Sequence, residues 1–219
     1  LRKGGKERSW AMEIIWATPL YEFLRECNES GLEKVILDCG AGSPGSHALV
    51  PPPLSIFYQS GYRTFGVEIQ EEALTNANRY CRKNGMRLNI IGGDMRHLPF
   101  RDFSFSFVYS FNAIFFMTKA DIARALKEME RVLSPNGLCF VNFISTDDPD
   151  RRPFCESAPI KRLLGSEGFS YHGDDEADMY FSNFDILLKQ KKFIDKLHEG
   201  QRLKQVLIEY IARKKPYIP

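Results

Sequence analysis

The chain has 219 residues, a formal net charge of +2, 43% hydrophobic residues and 26% charged residues. That length predicts one α/β domain with a substantial core, and the near-balanced charge argues against a global field aimed at nucleic acid or an acidic membrane. The five cysteines form no C-x-x-C pair and no short Cys/His cluster, which speaks against a zinc site or a disulfide framework. No apolar run approaches the ~20 residues of a transmembrane helix and no secretory leader is expected, so the predicted setting is the cytoplasm.

In chain order, Trp10, Ile14, Ile15, Leu20, Phe23 and Leu24 recur at helical spacing. Pro19 interrupts them, predicting two short helices or a kink. Residues 34–38 read as a buried strand that runs into Gly40-Ala41-Gly42-Ser43-Pro44-Gly45. This turn fits the G-x-G-x-x-G fingerprint, where backbone N–H groups at a strand end can receive a ligand. The prolines at 51–53 forbid a regular helix, so the next one is short and spans 54–60.

A strand over 63–68 and an amphipathic helix over 71–84, stopped by Gly85, come next. Strands over 88–91 and 105–111 follow, the first leading into Gly92-Gly93-Asp94-Met95. A helix over 119–133, a turn at 134–137 and a strand over 138–144 complete a strand–helix alternation. That alternation predicts a Rossmann-like, mostly parallel sheet with helices on both faces. Short helices are predicted over 160–167 and 174–180, and residues 184–197 and 203–213 as an antiparallel hairpin closing one edge. The expected organisation is one domain of seven strands. It has a helical segment (1–30), a binding core (33–145), an insertion on the substrate side (146–183) and the hairpin (184–215).

Ligands in such sheets gather at the carboxyl ends of the strands, where strand order reverses. Three strands end there in acids: Asp38, Glu68 and Asp94. Asp38 would repel the pyrophosphate of a dinucleotide but favour the ammonium and sulfonium of S-adenosylmethionine. Glu68 stands where an acid accepts from ribose hydroxyls, and Asp94 can accept from an adenine amino group.

These residues carry a resemblance. Val35-Ile-Leu-Asp-Cys-Gly-Ala-Gly, Phe65-Gly-Val-Glu-Ile, Gly93-Asp-Met-Arg-His-Leu-Pro-Phe and Arg131-Val-Leu-Ser-Pro-Asn-Gly-Leu resemble, in order, four motifs of the class I methyltransferases, with the type 11 group as the nearest match. The resemblance covers about residues 33–145 and implies S-adenosylmethionine as cofactor. It implies that Asp38 and the Gly40-Ala41-Gly42 turn hold the methionine part, and that Ser110 approaches it. Glu68 would bind the ribose, Ile69 would pack on adenine, and Asp94 with the Met95 backbone would hold its edge. One departure is that the third glycine of the family motif falls at Gly45, one residue after Pro44.

Phe105 and Phe107 are expected in the core. Phe111, Phe115 and Phe116 lie past the strand end, where they could face a sulfonium, line an apolar pocket or pack under a lid. The four histidines have no metal spacing, and His172 is the candidate general base, placed in a loop. The lysines and arginines of 189–215 read either as a solvated hairpin face or as a contact for RNA. The expected activity is methyl transfer to an unidentified acceptor, with a small molecule favoured over RNA or protein. The rival readings are a cofactor-binding protein without catalysis and an NAD(P)-dependent oxidoreductase.

Overall fold

In the computed structural model the described residues are 6–42, 51–149, 169–198 and 201–216, with side chains described for 18–42, 51–149, 169–195 and 204–216. The predicted helix at 160–167, and Pro44 with Gly45, lie outside them.

Five parallel strands build the binding half: β1 (Val35–Cys39), β2 (Arg63–Glu68), β3 (Ile90–Gly92), β4 (Phe105–Ser110) and β5 (Leu133–Ser145). β7 (Phe184–His198) and β8 (Gln201–Lys214) form the expected antiparallel hairpin, and β8 joins it to β5. The order β3-β2-β1-β4-β5-β8-β7 reverses direction between β1 and β4, which makes the gap between their carboxyl ends the natural ligand position. An eighth strand, β6 (Tyr171–His172), pairs with the end of β5 and was not expected.

Alternating side chains divide the core in two. On one face Val35, Leu37, Cys39, Val108, Cys139 and Val141 pack with Ile122, Ala125 and Met129 of α4 (Lys119–Val132). On the other, Ile36, Phe107, Tyr109 and Phe140 pack with Leu20 and Phe23 of α1 (Lys6–Glu29), Phe57 of α2 (Ser55–Gln59) and Ala77 of α3 (Glu71–Asn84). Phe105 and Phe107 are core residues, as expected.

Two local expectations need correction. α1 is a single helix with Pro19 inside it rather than two helices; the buried Leu20 and Phe23 anchor the turn that follows the proline. Residues 134–137 lie within β5 as an irregularity: Phe105 pairs with Leu133 but Phe107 with Leu138. The turn chemistry survives there in Asn136, at φ 61°.

Candidate functional site

The turn after β1 is fixed by sterics. Gly40 has φ 105°, and a Cβ on it would overlap the Ala113 methyl in the segment after β4. A Cβ on Gly42 would collide with the Glu68 carboxylate and lie 2.7 Å from the Ala73 methyl. Both glycines therefore allow backbone to approach neighbouring elements closely.

Among the described residues of this turn, the N–H groups of Gly40, Ala41 and Gly42 are not open to a ligand, contrary to expectation. Those of Gly40 and Ala41 donate to the Val67 carbonyl at 2.9 and 3.0 Å, and that of Gly42 donates to Glu68 Oε2 at 2.8 Å. Glu68 Oε1 accepts from the Gln70 N–H at 2.8 Å, and the Glu68 carbonyl accepts from Gly93 at 3.1 Å. The ends of β1, β2 and β3 are thus tied into one corner with Glu68 at its centre. Burial pushes the Glu68 carboxyl up, and its backbone donors pull it back in part.

Asp38 is 1% exposed and accepts a 2.7 Å hydrogen bond from the Tyr109 hydroxyl, its register partner on β4. Burial pushes its carboxyl up to about 8 against the pull of that hydrogen bond. In the protein alone Asp38 is mostly protonated at neutral pH, so the charge argument holds only when a cation lies against it and favours the carboxylate.

Asp94 pairs with Arg96, through Oδ2 to Nη2 at 2.6 Å. Burial raises the Asp94 carboxyl, but the Arg96 side chain and backbone N–H outweigh it and hold the group below its ordinary value. Met95 is partly buried near Gly40. Ile69 is 43% exposed beside the buried Glu68, an apolar side chain left open at the strand end. Ser110 is fully buried at the end of β4, and its hydroxyl is one of three buried side-chain atoms without a hydrogen-bond partner among the described residues. Such an orphan points to a missing partner. The open Ile69, the orphaned Ser110 hydroxyl and the acids at three strand ends fit an adenosyl ligand with a cationic amino-acid tail.

His172 stands in β6, not in a loop. It packs on Phe143 at 4.8 Å, and its Nε2 lies 3.3 Å from the Tyr180 hydroxyl. Burial lowers its pKa to about 4, and Nδ1 is the second orphaned atom. Phe111 turns into the core against Phe140, while Phe115 and Phe116 cluster with Phe169.

Several of the hairpin lysines are already engaged. Lys189 pairs with Asp175 and Asp178, Lys191 with Asp147 and Asp174, and Lys192 with Glu22 and Glu209. Lys214 is 8% exposed and donates to the Glu130 and Leu133 carbonyls.

Sequence reasoning missed Tyr109, Arg96 and a reciprocal amide pair at the ends of β4 and β5. In that pair Asn142 Nδ2 donates to Asn112 Oδ1 at 2.7 Å, and the Asn112 N–H donates to Asn142 Oδ1 at 2.8 Å. It also missed Glu209, 1% exposed, whose Oε1 is the third orphan.

Comparison with known proteins agrees with this geometry. Residues 37–141 match the family described as a methyltransferase domain, type 11. A sterol 24-C-methyltransferase of Pneumocystis carinii is 26% identical over 70% of the chain and 40% of its own length. Another, from Gibberella zeae, is 28% identical over 49% of the chain and 26% of its own length. The chain thus spans well under half the length of these curated relatives.

Among solved structures, the PH0226 protein of Pyrococcus horikoshii shares the fold at TM-score 0.66 and 18% identity, over 97% of this chain and 93% of that one. The 1,6-didemethyltoxoflavin-N1-methyltransferase of Burkholderia thailandensis, solved with S-adenosylhomocysteine, matches at TM-score 0.62 and 15% identity over 93% and 78%. No helix among the described residues is long and apolar enough to cross a membrane. The matched motifs, the strand order and the corner built around Glu68 converge: over residues 37–141 the chain carries a methyltransferase domain of the type 11 family, on the fold shared by S-adenosylmethionine-dependent methyltransferases.

Proposed function

We propose that this protein transfers a methyl group from S-adenosylmethionine to a small, largely apolar acceptor. The observation that carries the reading is the corner in which the backbone after β1, Glu68 and the turn after β3 are hydrogen-bonded together. That corner is built before any ligand arrives. Asp38 and the Gly40-Ala41-Gly42 turn hold the methionine part in this reading, with Ser110 beside it. Glu68 takes the ribose, Ile69 covers the adenine, and Asp94 with the Met95 backbone holds its edge.

When bound, the cofactor supplies a methyl group already activated by sulfonium charge. The chain's own task is alignment, which can contribute on the order of 7–11 kcal/mol for ideally placed reactants. A general base is needed only for an acceptor of high pKa. His172, the candidate base, is fully buried with its pKa lowered to about 4, which makes it a weak base for that role.

Two observations support a small, apolar acceptor. Three of the lysines that suggested RNA, Lys189, Lys191 and Lys192, are paired with carboxylates of the same chain, and Phe115, Phe116 and Phe169 gather beyond the end of β4. The names of the curated relatives, sterol methyltransferases, point the same way. Incubating the protein with methyl-labelled S-adenosylmethionine and a cell extract, then separating lipids and metabolites from RNA and protein, tests the reading. Label should enter the small-molecule fraction. Label confined to RNA or protein would overturn the acceptor class, and cofactor binding with no labelled product would favour a binding-only protein.

A further inference from the structure

Three N–H groups of Arg96 engage both carboxylate oxygens of Asp94. Asp94 Oδ1 accepts from the Arg96 backbone N–H at 2.8 Å and from its Nε at 3.0 Å. Oδ2 accepts from Nε at 2.9 Å and from Nη2 at 2.6 Å. An ionised carboxylate presents roughly four lone-pair sites. Three N–H groups occupy most of them, the Nε one shared between both oxygens, so an adenine amino group competes with the guanidinium for Asp94.

A second carboxylate is already within reach of that guanidinium. Arg96 Nη1 lies 3.1 Å from Asp121 Oδ1. Asp121 belongs to the first turn of α4, where its N–H donates to Thr118 Oγ1 at 3.2 Å and its Oδ2 accepts from that hydroxyl at 3.1 Å. The same segment is tied to the acceptor side: the Met117 carbonyl accepts from Ser170 Oγ at 2.6 Å and the Phe115 carbonyl from the Ser170 N–H at 3.0 Å. Arg96 therefore spans from the corner after β3 to the cap that follows the aromatic segment. Its side chain is 31% exposed and that of Asp94 26%. Both groups are partly open to water, which can replace part of the pairing during an exchange.

We propose that Arg96 occupies the adenine side of Asp94 in the cofactor-free protein and shifts onto Asp121 when adenine binds. Arg96 thereby sets cofactor affinity and links the adenine seat to the α4 cap. This rests on the reading of Asp94 as the adenine residue, and the fork geometry of arginine is what lets one side chain engage both oxygens of a carboxylate.

The test compares S-adenosylhomocysteine with its 6-deamino analogue, in which purine replaces adenine, by calorimetric titration into wild type and Arg96→Ala. S-adenosylhomocysteine lacks the sulfonium, so removing the arginine charge changes little else. Wild type should separate the two ligands by less than about threefold, because one hydrogen bond is exchanged for another. Arg96→Ala should bind S-adenosylhomocysteine about fivefold tighter, with the analogue unchanged.

Equal gains for both ligands, or weaker binding of S-adenosylhomocysteine, would overturn the proposal, since Arg96 would then be orienting Asp94 rather than covering it. Arg96→Lys keeps the charge without the fork and should move affinity the same way by a smaller factor. It carries the test if the alanine variant does not fold. Failure of folded wild type to bind S-adenosylhomocysteine at all would remove the cofactor reading itself, whereas the other adverse outcomes touch Arg96 alone.

Discussion

The two halves of the sheet are held by different kinds of contact. At the cofactor edge, glycine backbone packs directly on short side chains and a carboxylate: Gly40 against Ala113, Gly42 against Glu68 and Ala73, and Gly66 under Ala41. At the hairpin edge, long side chains reach across: Lys191 to Asp147 and Asp174, Lys189 to Asp175 and Asp178, Lys192 to Glu22 and Glu209. The first kind tolerates almost no added atom, while the second is adjustable and screened by solvent. A common donor and a variable acceptor call for that division. The edge that would seat the donor is rigid, and the edge beyond it is held by contacts that can be rewritten.

The comparison breaks most sharply at Gly40. Gly40→Ala forces a side chain into a φ of 105° and onto the Ala113 methyl, a change that should cost about 3 kcal/mol and abolish S-adenosylhomocysteine binding. Thermal melting with and without ligand reads both effects, and an unchanged melting temperature would contradict the steric account. Tyr109→Phe is next. It leaves the buried Asp38 without its 2.7 Å donor, which should destabilise the fold by ~1–3 kcal/mol in chemical denaturation. It should also push the Asp38 carboxyl further up, since that hydrogen bond is what lowers it.

The pH dependence sharpens the same point. Asp38 is raised from an ordinary 3.8 to about 8 in the folded chain, so the folded state binds the proton more tightly than the unfolded state. Its stabilising contribution is complete below the unfolded value and is lost as pH rises through the folded one. Wild type should therefore lose stability relative to Asp38→Asn between about pH 4 and 8, and the two curves should run parallel above about 9. Parallel curves throughout would show that Asp38 titrates normally. The smallest effect belongs to the hairpin edge: Lys191→Ala should leave S-adenosylhomocysteine affinity within about twofold, and a larger loss would mean that the two edges are coupled.

What was legible in the sequence follows this division. Asp38, Gly40, Gly42, Glu68 and Asp94 sit in short contiguous motifs whose spacing encodes strand, turn and helix, so the corner could be read from local order. Tyr109 and Asp38 are 71 positions apart, and Lys192 and Glu22 are 170 apart. Such pairs exist only once strand register is set. His172 illustrates the limit: its neighbours along the chain suggest an exposed loop, yet two residues of pairing with β5 bury it. The glycine turn shows another, because its N–H groups are consumed by Val67 and Glu68 from the next strand. The bulge at 134–137 and the continuous α1 likewise depend on neighbours that local composition does not announce.

The most direct test of the central claim is calorimetric titration of the wild-type protein with S-adenosylhomocysteine and, separately, with NADH. Saturable one-to-one binding of S-adenosylhomocysteine, raised melting temperature in its presence, and no response to NADH are the predicted results. Binding of NADH with no response to S-adenosylhomocysteine would contradict the account.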